Sequence, residues 1–445
     1  MPRTLLATLL AAAGLLLTSS PAAQAASRGP CVPGTSGPTC HFWTGKVTFV
    51  ADGDTIRVDV DGDGTPASRT IRFTGINAME LSRYSSSPSR RQGACHAREA
   101  TRVVDRYVRR SGGRVRLAAQ SRASRTGHRL RRSVAVRVGG RWEDLGRVLM
   151  RDGHALWLPN GVEWAWNREY HQLAEQAAAA RRNLYDPSYC GAGPSEGADL
   201  RASVHWDADG VDGADLNGEW VDIRNAGPAD VPLAGWWMRD SYLVFGAGRV
   251  PGFAFPPYAV VPAGGSVRLY VGCGPNRPDT PRRFYWCQRS TVFENASRAR
   301  FIGDGGYLFD PQGDLRASAI YPCLDRCEDP LRGAVRVDVE PRTPENVRIT
   351  NVSGAPVDLD GYLVKLHLGG SAERFIFSLP LRAGTRLEPG ERLTLWMGGS
   401  SDDDERLERY LGRGPYVLAD GGNAVSLRSA GDAMVDCYAW GRARC

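Results

Sequence analysis

Apolar residues in this chain recur mainly at every second position over short runs. In TIRVDV (55–60) and RTIRFTGI (69–76) apolar and polar residues alternate, and the intervening DGDGTPAS reads as the turn of a β-hairpin. Alternation broken by Gly, Pro and Asn also fills residues 199–445, as in EWVDIRN and ENVRITN, and predicts antiparallel β-sandwich structure. Helical spacing is restricted to the first half. Ala100, Val103, Val104, Tyr107 and Val108 share one face of a helix expected over about 94–110, and Tyr170, Leu173, Ala174, Ala177 and Ala178 form the stripe of a second.

The second half contains its own repeat. Glu219, Val221, Ile223, Asn225, Val231, Leu233, Gly235 and Trp236 correspond to Glu345, Val347, Ile349, Asn351, Val357, Leu359, Gly361 and Tyr362 at a constant offset of 126. Gly264, Val267, Leu269, Tyr270 and Gly272 correspond in the same way to Gly390, Leu393, Leu395, Trp396 and Gly398. Two copies of one domain are expected, over 199–323 and 333–445, preceded by a Gly/Pro-rich linker at 191–198 and a domain at 41–190.

Charge divides the chain at the same boundary. Residues 41–190 hold 26 Lys and Arg against 15 Asp and Glu, a net +11. The whole chain is +7; with Arg3 and Arg28 also set aside, residues 191–445 are left at −6. A localised positive field favours a polyanionic partner, nucleic acid above all. At the N-terminus, Arg3, an apolar run from Leu5 to Leu17, and Ala23-Gln24-Ala25 read as a secretory signal, residues 1–25, too short to span a bilayer. No later segment reads as transmembrane, so the expected protein is secreted. Ten cysteines agree with an oxidising compartment, with local bridges Cys31–Cys40, Cys273–Cys287, Cys323–Cys327 and Cys437–Cys445 and a longer Cys95–Cys190 bridge. Neither the cysteines nor His128, His154 and His171 form a recognisable zinc or nucleophile motif.

Candidate chemistry gathers at two places. ADGDTIRV (51–58) sets Asp52 and Asp54 at the mouth of a strand, as a turn or as a cation site, and IRFTGINAMEL (71–81) places Arg72, Asn77 and Glu80 on the returning strand and its exit. Together these resemble the staphylococcal nuclease family, whose signature is a D-G-D-T strand start followed by an R-x-x-G/x-I/V-D-x-P-E exit. HRLRRSVAVRV resembles its arginine-bearing strand, LGRVLMRDGHALW its short helix and glycine turn, and the second striped helix, ending at NLYD, its closing helix.

The resemblance implies an OB-fold β-barrel with helices, and a calcium-dependent nuclease acting on DNA and/or RNA and leaving a 3′-phosphate. It assigns Ca2+ to Asp54, Asn77 and the Ala78 carbonyl, proton transfer to Glu80, and phosphate binding to Arg72 and Arg132. Arg129 and Arg131 are alternatives to Arg132 in the same run and further nucleic-acid contacts. The chain departs from the pattern at Asn77, where a second calcium-binding Asp is expected, and at Met79, in place of Pro. A binding-only barrel is the competing reading.

The strand ending in Asn, the V-x-L-x-G-W/Y corner and the Pro/Gly turn of each repeat resemble the lamin-tail domain, an immunoglobulin-like sandwich of binding or spacing character with unknown ligand. The expected fold class is therefore mainly β, an OB-fold barrel followed by two immunoglobulin-like sandwiches. Trp206, Trp220, Trp236 and Trp237 are either core or an exposed ligand surface. DADGVDGAD (207–215) reads as a solvated loop. DGDG at 61–64 imitates an EF-hand, but Thr70 stands where its bidentate Glu is required. Removing 199–445 is expected to leave a folded barrel that still cleaves.

Overall fold

The computed structural model describes residues 27–445 except 33, 35–36, 82–93, 190–196, 207–212, 243–251, 298–299, 324–328, 330, 368–374, 383, 415 and 430–432. The signal segment, most of the linker and most of DADGVDGAD lie outside the described residues.

Among the described residues, ten strands and three α-helices build the N-terminal domain. They are β1 (Ser27–Pro30), β2 (Thr39–Val50), β3 (Thr55–Val60), β4 (Arg69–Phe73), β5 (Ile76–Ala78), α1 (Ala94–Arg110), β6 (Arg114–Ala119), β7 (Arg125–Thr126), β8 (Arg129–Val138), β9 (Arg141–Asp144), α2 (Leu145–Arg151), β10 (Ala155–Trp157) and α3 (Asn167–Ala179). The order β2-β3-β4-β8-β6 closes through β2–β6 into a five-stranded barrel in which β4–β8 is the parallel pair. This is the connectivity expected of an OB-fold. Alternation puts Ile56, Val58, Ile71, Phe73, Val115, Leu117, Val134 and Val136 inside, where Val104, Val148 and Tyr170 from the three helices complete the core. At Gly45 a Cβ would stand 2.5 Å from the Asp59 carbonyl oxygen, so only glycine lets β2 approach β3 this closely.

Among the described residues each sandwich has two four-stranded sheets and one two-stranded sheet. In the first, the four-stranded sheets are Leu200–His205, Trp220–Asn225, Ser266–Tyr270, Arg283–Tyr285 and Phe253–Ala254, Trp237–Arg239, Asp304–Phe309, Leu315–Tyr321; the second repeats this order. The 126-residue repeat has structural reasons. Asn225 donates to Ala229 and Val261 carbonyls and accepts from the Gly227 N–H; Asn351 does the same with Ala355, Leu387 and Ser353. Buried Glu219 accepts from the N–H groups of Val292 and Phe293, and Glu345 from those of Tyr416, Val417 and Leu418. All four candidate tryptophans are buried, which removes the exposed-surface reading. Disulfides join Cys31–Cys40, Cys273–Cys287 and Cys437–Cys445; Cys95 and Cys323 are bonded too, their expected partners Cys190 and Cys327 lying outside the described residues.

The barrel and first sandwich share an apolar seam. Met79, Ala97, Leu156, Ala177, Leu184 and Tyr185 of the barrel form one buried cluster with Trp237, Tyr307, Phe309 and Leu315 of the sandwich, where Trp237 stacks on Phe309 at 4.4 Å. Polar contacts frame it: Arg316 donates to the Pro187 carbonyl at 2.6 Å and pairs with Asp310, Tyr242 donates to the Pro159 carbonyl at 2.8 Å, and Asn167 donates to the Arg300 carbonyl at 3.0 Å. An independently folding barrel is therefore not what the packing supports, because removing 199–445 would expose this cluster to water. Trp237→Ala is expected to cost about 3–5 kcal/mol and to broaden the transition as barrel and sandwich uncouple. Chemical denaturation of the full mature chain, followed by far-UV circular dichroism, measures both.

Candidate functional site

The turn before β3 explains the first acidic pair. Asp52 Oδ1 accepts from the Asp54 N–H at 3.0 Å, an Asx turn that aims the Asp54 side chain inward. Gly53 is needed for packing: a Cβ there would lie 2.6 Å from the Cβ of Ala100 on α1 and 2.8 Å from that of Ala78. The DGD triplet thus lets α1 and β5 close over the mouth of β3.

Asp54 is buried and its carboxylate is fully engaged. One oxygen accepts from the guanidinium of Arg72 and, at 2.9 Å, from the Thr55 hydroxyl; the other accepts from the Ala78 N–H at 2.8 Å. Arg72 reaches it because Thr55 and Arg72 are register partners across β3–β4. Arg72 Nη2 donates to Asn77 Oδ1 at 3.1 Å. The oxygens of Asp54 and Asn77 therefore converge on one positive centre, the Arg72 guanidinium. These hard oxygens suit a calcium ion in type, with one carboxylate where two would bind more tightly, and an ion there has to compete with Arg72.

Glu80, half-buried, follows β5. Burial, then the charge of Asp52, raise its carboxyl above the ordinary range, offset by Arg72, Arg129 and Arg239. Burial likewise raises Asp52, offset by Arg72, Thr55 and Arg129.

The arginine run divides by strand parity. Arg131 is the register partner of Arg72 in the parallel β4–β8 pair, so Arg129 and Arg131 share its face and Arg132 takes the other. Arg132 sits 4.5 Å over the Trp43 ring and donates to the carbonyls of Arg122, Ser124 and Arg131. Burial lowers its pKa to about 10. The assignment of Arg132 to the phosphate site is accordingly corrected: it is a packing residue under the β7–β8 hairpin. Arg129 acts electrostatically on Asp52 and Glu80, and Arg131 donates to the Thr126 hydroxyl and feels Tyr242.

The first sandwich reaches the same place. Asn77 Nδ2 donates to the Ser241 carbonyl at 3.3 Å, and Arg239 Nη2 donates to that same oxygen at 3.2 Å. Both departures from the nuclease pattern thereby acquire a cause. An aspartate at 77 would set a carboxylate against a carbonyl, and Met79, 1 % exposed, fills the seam. Arg239 was missed by the sequence reading, although the 126-residue offset pairs it with Lys365, a second buried cation in mid-strand.

Comparison with known families matches residues 202–322 to the lamin tail domain. The first sandwich is thus a lamin tail domain, an immunoglobulin-like module, in a mainly β chain whose N-terminal region is a closed five-stranded barrel. No curated protein matched the chain. Among the described residues no helix is long and apolar enough to cross a membrane.

Removing the Asp52 charge should let Glu80 ionise more readily. Asp52→Asn is expected to lower the Glu80 pKa toward the ordinary carboxylate value, read by carboxyl-detected NMR titration; an unchanged value would place Asp52 outside the site.

Proposed function

We propose that the barrel is a secreted nucleic-acid phosphodiesterase of the staphylococcal nuclease type, acting on DNA and/or RNA with little sequence preference. The observation that carries this reading is the convergence of Arg72, Asp54, Asn77 and Glu80 at one end of the β3–β4 hairpin, with Arg129 on the adjoining strand. Phosphodiester hydrolysis requires positive charge at the non-bridging oxygens and a group that takes a proton from the attacking water. Arg72 and Arg129 supply the first. Glu80 supplies the second, its raised pKa making it a stronger base than an exposed carboxylate while leaving it ionised at higher pH. Water adds to phosphorus as its proton passes to Glu80, and the bond to the departing sugar oxygen breaks as that oxygen takes a proton from solvent; the family resemblance identifies it as O5′, leaving a 5′-hydroxyl and a 3′-phosphate.

Asp54, Asn77 and the Ala78 carbonyl would hold Ca2+. When bound, the ion neutralises phosphate charge. This chain's own residues set the scene for it: Arg72 must turn from Asp54 toward the phosphate, which frees the oxygens it now occupies. The single carboxylate predicts weak calcium affinity. The engagement of Arg72 by Asp54 and Asn77 also favours a second reading, a barrel that binds nucleic acid and cleaves it slowly or not at all.

Incubating the mature chain with plasmid and single-stranded DNA, with calcium or with chelator, separates the two. The nuclease reading expects calcium-dependent degradation that falls about 10²- to 10⁴-fold in Glu80→Gln. Its rate should rise with pH through the raised Glu80 pKa, because only the ionised carboxylate accepts a proton, and that limb should vanish in the variant. DNA retarded on a gel yet left intact would support the binding-only reading.

A further inference from the structure

The first sandwich contributes more than a lid to this site. Arg239 ends the strand Trp237–Arg239 and is 0 % exposed. Two of its nitrogens are spent on backbone carbonyls, Nε on Asp240 at 2.9 Å and Nη2 on Ser241 at 3.2 Å. Nη1 is buried with no hydrogen-bond partner among the described residues. A guanidinium N–H enclosed without an acceptor is costly, and an anionic oxygen is the acceptor that would satisfy it best. The position of Arg239 is fixed from both sides of the seam, since the Ser241 carbonyl accepts from it and from Asn77 of the barrel. Its charge reaches Glu80, as do those of Arg72 and Arg129. Arg132 faces away over Trp43.

We propose that Arg239 of the lamin tail domain is a phosphate-binding residue of the barrel's site, so that two domains share one site for the nucleic-acid backbone. The proposal rests on the phosphodiester reading above and adds a donor from a second domain. Burial of Arg239 suits contact with one phosphate oxygen pressed into the seam, whereas Arg129 is partly exposed at the start of β8 on the barrel. The equivalent position in the second sandwich, Lys365, lies 4.2 Å over the Trp206 ring of the first, so the same strand position carries each sandwich's cation to the preceding domain. In the first sandwich that cation meets a site instead of a ring.

The test uses the full mature chain and three readouts: single-turnover cleavage, oligonucleotide affinity against salt concentration by fluorescence anisotropy in a Glu80→Gln background, and the unfolding midpoint. Arg239→Met is expected to slow cleavage about 100-fold and to lower the slope of log affinity against log salt by about one. A merely structural arginine would shift the midpoint and leave the slope alone. A folded Arg239→Met with wild-type rate and slope overturns the proposal. Should that variant not fold, Arg239→Lys decides, because it keeps the charge and loses the planar fork: a rate at least about tenfold lower with the slope retained supports phosphate contact, and an unchanged rate refutes it. A wild-type chain that binds without cleaving sinks the nuclease reading alone, with the salt slope of Arg239→Met still deciding the contact. A chain that neither binds nor cleaves overturns both.

Discussion

The apolar seam between barrel and lamin tail domain is the constraint on which the rest of the structure depends. Trp237, Tyr307 and Phe309 each bring a large ring to a surface made of Met79, Leu156, Leu184 and Tyr185. Full burial of one such side chain is worth about 1.5–3 kcal/mol, so the cluster outweighs any single polar contact at its edge. That burial sets the spacing at which the Ser241 carbonyl meets Asn77, and it determines which side chains follow β5. Without the seam, Met79 would be an exposed apolar residue and Asn77 would lose a partner.

Buried cations make the seam specific. Placing a guanidinium or an ammonium beneath a domain contact carries a desolvation cost that only well-placed partners offset. At Arg316 the partners are the Asp310 carboxylate and the Pro187 carbonyl. At Lys365 they include the face of Trp206, and an exposed Arg224–Asp358 pair at 3.8 Å joins the same two sandwiches. Such pairs add little net stability, yet they penalise any docking that leaves the charge unmatched. A chain of three domains in series gains a defined order of contacts from them.

Much of this was legible in the sequence because it depends on local periodicity. The β3–β4 hairpin, the α1 stripe and the two sandwich copies followed from alternation, helical spacing and the offset of 126. That Arg72, Asp54 and Glu80 come together was legible because their spacing along one hairpin survives folding unchanged. Arg132 was misplaced because HRLRRS fixes the strand but not its parity, and a shift of one residue exchanges the two faces. Parity depends on the pairing of Arg72 with Arg131, a contact between strands separated by a helix and three further strands. Arg239 was illegible for a similar reason: its link to Asn77, 162 positions away, arises only where two domains meet. The unusual residues Asn77 and Met79 were visible as departures, but read within the barrel alone they suggested a weakened site. Read across the seam they are its complement.

Charge balance shows what the seam does to the chemistry. Asp52, Asp54 and Glu80 bring three carboxylates to the mouth of β3, and Arg72, Arg129 and Arg239 bring three guanidiniums within their field. A barrel with aspartate at position 77 and without the sandwich would hold one more negative charge and one fewer positive, an excess that only a cation could offset. With Asn77 and Arg239 in place three guanidiniums face those three carboxylates, and the sandwich adds the buried Asp240 and Asp304 beside Arg239. In the proposed nuclease a phosphate arriving at this site would meet Arg129 and Arg239 in place, while Arg72 would have to turn to it from Asp54. Asn77 and the domain that covers it are thus two parts of one electrostatic arrangement.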